Sequence, residues 1–370
     1  MTAVPWYCLA AHFMSASSIA ITGGSGNLGQ RLLPMLHGKR VLGLDMRAPA
    51  GELPPSFTFE HLDLGKEPSC DAMIRLFREH RVDTVVHLAF VLDPLRQGIL
   101  DRKRMWQINV AGTARLMEAV TEINRLAPGT IRRVVALSSV SAYGPELPEN
   151  VTEDHPLKAH TLTYAVHKKE MDEVVRRRAE VIEDCEVVLL RPHIFIGKSV
   201  QNYMAGSLKG DAYGHGRIGK RMQEKRERLP MLLPRGEEYL RKKFQFVHVD
   251  DVGRLIKHIL GEDERPGMKV FNVAARGATM TIAVCALLGD STLVRVPTRL
   301  LTKALLSLAW KFGVSSVPPD SFPYLCGTYT MNTTRLQRYL GPAYENVIRY
   351  TNEAALRDTF ETASGAAHQA

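Results

Sequence analysis

The run Ser18-Ile19-Ala20-Ile21-Thr22-Gly23-Gly24-Ser25-Gly26-Asn27-Leu28-Gly29 decides how the chain is read. Ser18–Thr22 predicts a short buried strand, and glycines then recur with the spacing GxxGxxG where a helix begins. Gly23 permits a tight turn, Gly26 lets backbone approach a pyrophosphate, and Gly29 lets the helix lie close to the sheet. Unpaired N–H groups at the helix start, beginning with Asn27 and Leu28, would face the phosphates. A glycine turn that holds no ligand looks the same locally, so its surroundings carry the weight.

Asp45 closes the next predicted strand, where a carboxylate accepts both ribose hydroxyls of NAD and repels a 2′-phosphate. Arg47 could pair with such a phosphate, so NAD is expected and NADP stays open. Asp63, in the frame FEHLDL, suits either the adenine amino group or a solvated loop. Predicted strands at 40–45, 57–62, 84–89, 133–138 and 185–190 alternate with predicted helices at 27–36, 71–80, 109–126 and 164–179. Such alternation predicts an α/β fold, a doubly wound parallel sheet of Rossmann type. We expect this nucleotide-binding domain over residues 17–197. A smaller, discontinuous substrate-binding region follows over 198–358, with 244–275 returning to the first domain. Residues 1–16 read as an extension, with Met14 a natural start, and 359–370 as a disordered tail.

Tyr164-Ala165-Val166-His167-Lys168 places a phenol and an ammonium on one face of a predicted helix. A cationic Lys168 would favour phenolate, letting Tyr164 exchange a proton with a substrate hydroxyl while hydride moves. Ser138-Ser139-Val140-Ser141-Ala142-Tyr143-Gly144 ends a strand 25 residues earlier, where a serine hydroxyl can bond the reacting oxygen. Asn109 would complete a polar relay, hold ribose, or simply cap its helix. His193 and His248 lie in apolar strand contexts and read as satisfied strand-end histidines rather than acid/base partners.

Together these residues resemble the extended short-chain dehydrogenase/reductases, the NAD-dependent epimerase/dehydratase family, from about Ser17 to Asp358. The motifs are TGGSGNLG at 22–29, Asp45, Asp63, HLA at 87–89, NVAGT at 109–113, SSVSAYG at 138–144, Tyr164 with Lys168, RPHIFIG at 191–197, FVHVDDV at 246–252 and FNVA at 271–274. The resemblance implies Ser139 as catalytic serine, with Lys168 also holding the nicotinamide ribose. It further implies cofactor contacts from Leu64, Leu88, Ala89 and His193, and a homodimer through helices flanking the YxxxK. Family dehydratases carry Thr-Asp-Glu where this chain has Ser139-Val140-Ser141, which disfavours elimination of water. Ile194 stands where many epimerases place a diphosphate-binding Asn; Asn202 is a nearby substitute, and Ser141 and Arg235 are further substrate candidates.

The remaining composition narrows the partners. The 370 residues carry a net charge of +9, and residues 217–243 hold ten Lys/Arg against four Glu. Arg217, Lys220, Arg221 and Arg235 would meet a nucleotide-sugar pyrophosphate or form a solvated loop. Nucleic acid is not expected, since aromatic interleaving is absent. Five scattered cysteines without a CxxC pair read as free thiols of a cytoplasmic protein with no metal site. Arg299–Gly313 is amphipathic and too short to span a bilayer; it packs on its own domain or touches a membrane surface. Two activities follow. One is epimerisation of a nucleotide-sugar by oxidation and re-reduction of a secondary alcohol. The other is simple dehydrogenation or reduction of a lipophilic alcohol, as in the 3β-hydroxysteroid dehydrogenase branch, which shares the pair Arg191-Pro192. A non-catalytic NAD-binding regulator is disfavoured because Ser139, Tyr164 and Lys168 are all present.

Overall fold

The computed structural model describes residues 17–92 and 101–361. The first half builds the sheet from β1 (Ser18–Thr22), β2 (Arg40–Asp45), β3 (Phe57–His61), β4 (Thr84–His87), β5 (Arg133–Leu137) and β6 (Glu186–Pro192). Between them run the helices α1 (Asn27–Leu32), α2 (Ser69–Glu79), α3 (Arg102–Trp106), α4 (Gly112–Leu126) and α5 (Thr163–Ala179). The second half adds β7 (Ile194–Ile196), α6 (Tyr203–Lys209), α7 (Arg217–Glu224), β8 (Met231–Pro234), α8 (Glu237–Leu240), β9 (Lys243–Phe244), β10 (Phe246–His248), α9 (Val249–Ile259) and β11 (Gly267–Val273). Then follow β12 (Met280–Thr281), α10 (Ile282–Leu288), β13 (Leu293–Val296), α11 (Arg299–Lys311), α12 (Phe322–Cys326), α13 (Thr334–Leu340), α14 (Tyr344–Val347) and α15 (Asn352–Phe360).

Seven strands lie side by side in the order β11-β6-β5-β4-β1-β2-β3, every neighbouring pair parallel. Alternate residues of a strand point to opposite faces. Ile19 and Ile21 therefore enter one core with Leu32, Leu255 and Leu336, while Ala20 enters another with Leu76, Val120 and Met171. Helices cover both faces, and the sheet is doubly wound, as the sequence predicts. A third core, around Tyr143, Phe244, Phe246, Tyr329 and Leu356, joins the segment 140–165 to the second half of the chain. It is built on three two-stranded ladders, β10–β7, β12–β9 and β13–β8.

Four local differences have physical reasons. The single strand predicted at 244–248 divides because Phe244 pairs antiparallel with Met280 while 246–248 pair parallel with β7. Helix α9 begins at Val249, three residues before the prediction, because the His248 ring accepts the Asp250 amide at 3.2 Å. The helix predicted from Asn109 starts earlier, at Arg102, where Asp101 accepts the Lys103 amide. It then passes through a wide π turn at Gln107–Ala111. Helix α15 runs two residues past the boundary expected for the tail, since Thr359 is buried and accepts the Gly197 amide at 2.8 Å. The proposed N-terminal extension lies outside the described residues, as do 362–370.

Candidate active site

The turn after β1 is glycine-dependent in a specific way. Gly23 has φ +75°, and a side chain there would meet the Ala89 backbone at 2.5 Å. At Gly29 a side chain would strike the Gly24 carbonyl at 2.5 Å, so α1 lies directly on the loop. Gly26 is the extended residue before α1, and its missing side chain faces only the Gly23 carbonyl at 3.2 Å. The first amides of α1 have no partner within the helix. Asn27 ties its own side chain to Ser199 at 3.0 Å, and Leu28 is buried.

Asp45 stands at the end of β2 beside this turn. Its carboxylate accepts the Ser25 amide at 3.1 Å, the Ser25 hydroxyl at 2.6 Å and the Met46 amide at 2.7 Å. A carboxylate has about four acceptor sites, so capacity remains for a ribose hydroxyl. Asp63 pairs with Arg104 and accepts the Gly65 amide at 3.0 Å. Leu64 is buried against Gly112. Leu88 and Ala89 follow β4, and the Leu88 amide bonds the Thr22 carbonyl at 3.0 Å.

Asn109 is fully buried within the π turn, not at a helix start, so it is no cap. It clamps the segment after β4 instead, accepting the Val91 amide at 2.7 Å and donating to the Val91 carbonyl at 3.1 Å. Its amide also meets the His167 ring at 3.3 Å. His87 is just as enclosed. Thr113 donates its hydroxyl to the Asn109 carbonyl at 2.7 Å and so accepts from His87 Nε2 at 2.9 Å, leaving Nδ1 to accept from Thr22 at 2.7 Å. Burial holds this imidazole neutral, with its pKa down to about 3.

The catalytic candidates converge beyond β5. Ser139 and Ser141 join hydroxyls at 2.9 Å. The Tyr164 phenol lies beside both: burial raises its pKa, and hydrogen bonds from Ser139 and then Ser141 pull it down. The expected lowering by Lys168 does not govern here. Lys168 is 5% exposed, donates to the Leu137 carbonyl at 2.6 Å, and has its own pKa pushed down to about 7 by burial, against the opposing pull of Asp172. Phe90, absent from the sequence-based candidates, packs edge-on to Tyr164 with centroids 5.6 Å apart and lies 3.6 Å beneath the Lys168 ammonium. Since Ala89 abuts Gly23, two consecutive residues connect the glycine turn to the Tyr164 ring.

The opposite wall carries two tyrosines that sequence reading also missed. Tyr324 donates to the Ser141 carbonyl at 3.4 Å and packs edge-on against Tyr329. The Tyr329 hydroxyl is buried with no partner in hydrogen-bond geometry, as is that of Ser138. His193 is 3% exposed with both ring nitrogens occupied, by the Tyr329 carbonyl at 2.8 Å and the Ile194 amide at 2.8 Å. Its pKa falls to about 3 through burial, so it offers only its ring surface. Asn202 caps α6, accepting the Ala205 amide and donating to the Phe195 carbonyl at 2.6 Å, and is not brought to the serines. Arg235 is exposed beyond β8, and Arg217, Lys220 and Arg221 are exposed on α7. A cavity of about 640 Å³, lined in part by Asn150, Arg276, Asn332 and Tyr344, includes none of the catalytic candidates.

Residues 19–274 match the profile of the NAD dependent epimerase/dehydratase family. The chain belongs to this family. Among curated proteins it is similar to a dTDP-6-deoxy-L-talose 4-dehydrogenase (NAD(P)(+)) of Kitasatospora kifunensis, 37% identical over 34% of this chain and 36% of the relative. It is also similar to a UDP-glucose 4-epimerase of Neisseria meningitidis, 25% identical over 47% of this chain and 52% of the relative. The chain thus aligns with about a third to a half of the length of these relatives. Among solved structures the UDP-glucose 4-epimerase of Thermus thermophilus in complex with NAD superposes with TM-score 0.61 at 19% identity, over 94% of this chain and 99% of that one. The epimerase/dehydratase family is NAD-dependent, and NAD is the cofactor. The residues present fit it: the glycine turn leaves no side chain over the first α1 amides, and the Asp45 carboxylate stands beside that turn with acceptor capacity to spare.

Proposed function

We propose that this member of the family is a nucleotide-sugar epimerase-like enzyme that oxidises a secondary alcohol to a ketone and re-reduces it, with Tyr164 as acid/base. One observation carries the reading: Tyr164 lies beside the Ser139–Ser141 pair on one side and, through Phe90 and Ala89, borders the glycine turn on the other. The chemistry that bound NAD would supply is a reversible hydride acceptor for the alcohol carbon. Gly26, Asn27 and Leu28 would hold its pyrophosphate, Asp45 its adenosine ribose, and Lys168 its nicotinamide ribose.

The chain's own groups handle the proton. In the oxidising direction Tyr164 must start as the phenolate, which takes the substrate O–H proton and becomes the phenol, while Ser139 donates a hydrogen bond to the oxygen that becomes the ketone. In the reducing direction the proton returns from Tyr164. Burial, which raises the Tyr164 pKa, favours the phenol that this second step needs. Lys168 titrates at about 7, so its charge next to Phe90 changes within the neutral range. Nucleotide-sugar chemistry is supported by the dTDP- and UDP-sugar names of the relatives, and a non-dehydratase by the absence of acids at 140–141.

The dehydrogenase relative favours a second reading, in which oxidised product is released rather than re-reduced; a lipophilic alcohol of the 3β-hydroxysteroid type would be handled in this way. Incubation of the purified protein with UDP- and dTDP-sugars, and separately with hydroxysteroids and NAD, separates the two. Stoichiometric NADH accumulation supports the second, and sugar interconversion without it the first. Tyr164→Phe is expected to reduce turnover by roughly 10²–10⁴-fold with NAD affinity unchanged. Full turnover in that variant removes Tyr164 from the mechanism.

A further inference from the structure

Helix α11 has two apolar faces, and the fold uses one of them. Thr302 and Leu306 are buried, with Ala309 partly covered, on the stripe that packs against β8. Leu301, Leu305, Leu308 and Phe312, spaced i, i+4, i+7, i+11, form a second stripe about a quarter turn round the helix from the buried one, and Leu300 adds a further exposed apolar side chain at the helix start. Their exposures are 43%, 39%, 49%, 64% and 80%. A globular helix facing water normally carries polar residues there.

We propose that this face, together with α7, seats the protein on the surface of an anionic phospholipid bilayer. The two helices form one rigid surface. The Gly216 amide donates to the Gly313 carbonyl at 2.9 Å and the Gly214 amide to the Val314 carbonyl at 2.9 Å. A side chain at Gly216 or Gly219 would collide with the Phe312 or Gly313 carbonyl oxygens, so the contact is backbone against backbone. This brings α7, with Ile218 at 56% exposure, alongside the end of the Leu/Phe stripe. Arg217, Lys220 and Arg221 on α7, and Lys311 beside the stripe on α11, are exposed and make no ion pair among the described residues.

Leucine and aromatic side chains bordered by uncompensated cations are the composition of a helix lying in the headgroup plane, its lysines reaching outward along the interface. No helix of the described residues is long and apolar enough to cross a membrane, so the contact is peripheral. A two-fold pairing of this face with a second copy would set cations against cations. The surface also adjoins the active site. Arg299, which opens α11, pairs with Glu146 and lies over the Phe322 ring at 6.0 Å, and Phe322 begins α12, which carries Tyr324 against Ser141.

Flotation of the full chain with vesicles tests this. It should float with phosphatidylglycerol–phosphatidylcholine vesicles, weakly with phosphatidylcholine alone, and release as salt is raised. Lys220→Gln with Arg221→Gln should lower partitioning roughly thirty-fold, at about fivefold per charge. Leu308→Ser with Phe312→Ser should abolish flotation while circular dichroism and NAD affinity stay as in the parent. Absence of flotation with anionic vesicles overturns the proposal. So does equal binding to both vesicle types that the charge substitutions do not alter. A third overturning result is a dimer by sedimentation that Leu308→Ser with Phe312→Ser converts to monomer, since the face would then be a protein interface.

Discussion

Phe90 makes Lys168 an unusual lysine. The fall of its pKa from 10.5 to about 7 corresponds to roughly 5 kcal/mol against the ammonium. The attraction of a ring 3.6 Å away returns only about 0.5–2 kcal/mol, so dehydration dominates. Phe90→Ala admits water to Nζ and is expected to raise this pKa by at least about one unit. Competitive labelling of the amine across pH measures it, and an unchanged midpoint would assign the burial to other walls. Ser139, Tyr164 and Lys168 were legible because they are near one another in sequence and their spacing puts them on one strand end and one helix face. Phe90, Tyr324 and Tyr329 were not. The latter two arrive from a segment more than 150 residues away, which no local pattern reports. Phe90 had a signal: it directly follows the HLA motif, and the residue after a strand that abuts the glycine turn must face the site.

Helix α5 is held to β6 by one buried cation. Arg191, 1% exposed, meets Asp172 through Nε at 2.8 Å and through its terminal nitrogen at 2.9 Å, and bonds the Tyr143 hydroxyl at 2.9 Å and the Glu153 carbonyl at 2.8 Å. Asp172 lies two turns beyond Tyr164, so the clamp fixes the helix that carries the phenol. Asp172→Ala leaves the guanidinium buried and unpaired, with an expected loss of about 3–5 kcal/mol in urea unfolding. Pairing it with Arg191→Met should recover most of that loss; failure to recover would locate the defect in packing. Most sheet elements were legible here because the strands are buried on both faces and bounded by turns. The π turn at 107–111 was not, since its cause is tertiary: Asn109 leaves the helical pattern to satisfy the Val91 backbone. The three short ladders of the second half also escaped, because each pairs segments of two to four residues across long distances.

At the scale of the whole protein, two neutral histidines set the acid limit. His87 and His193 are both held at about 3, against an ordinary 6.5. Between those values the unfolded chain binds protons that the folded chain refuses, so stability falls as pH drops below about 6.5. The loss approaches 2 kcal/mol per histidine by pH 5. His193→Gln keeps a donor for the Tyr329 carbonyl and is expected to show a drop between pH 7 and 5 smaller by about 2 kcal/mol, read from urea midpoints. An identical drop would place the titration elsewhere.

The sheet also has an assembly order written into it. Strand β6 is complete once Pro192 has been made, yet its outer neighbour is β11, which pairs Gly267 with Glu186 and Val273 with Pro192. Until that late segment leaves the ribosome, the nascent chain presents a seven-residue open edge, Glu186–Pro192, to any other strand nearby. A holdase present during expression should therefore raise yield more than any change to the purified protein's buffer.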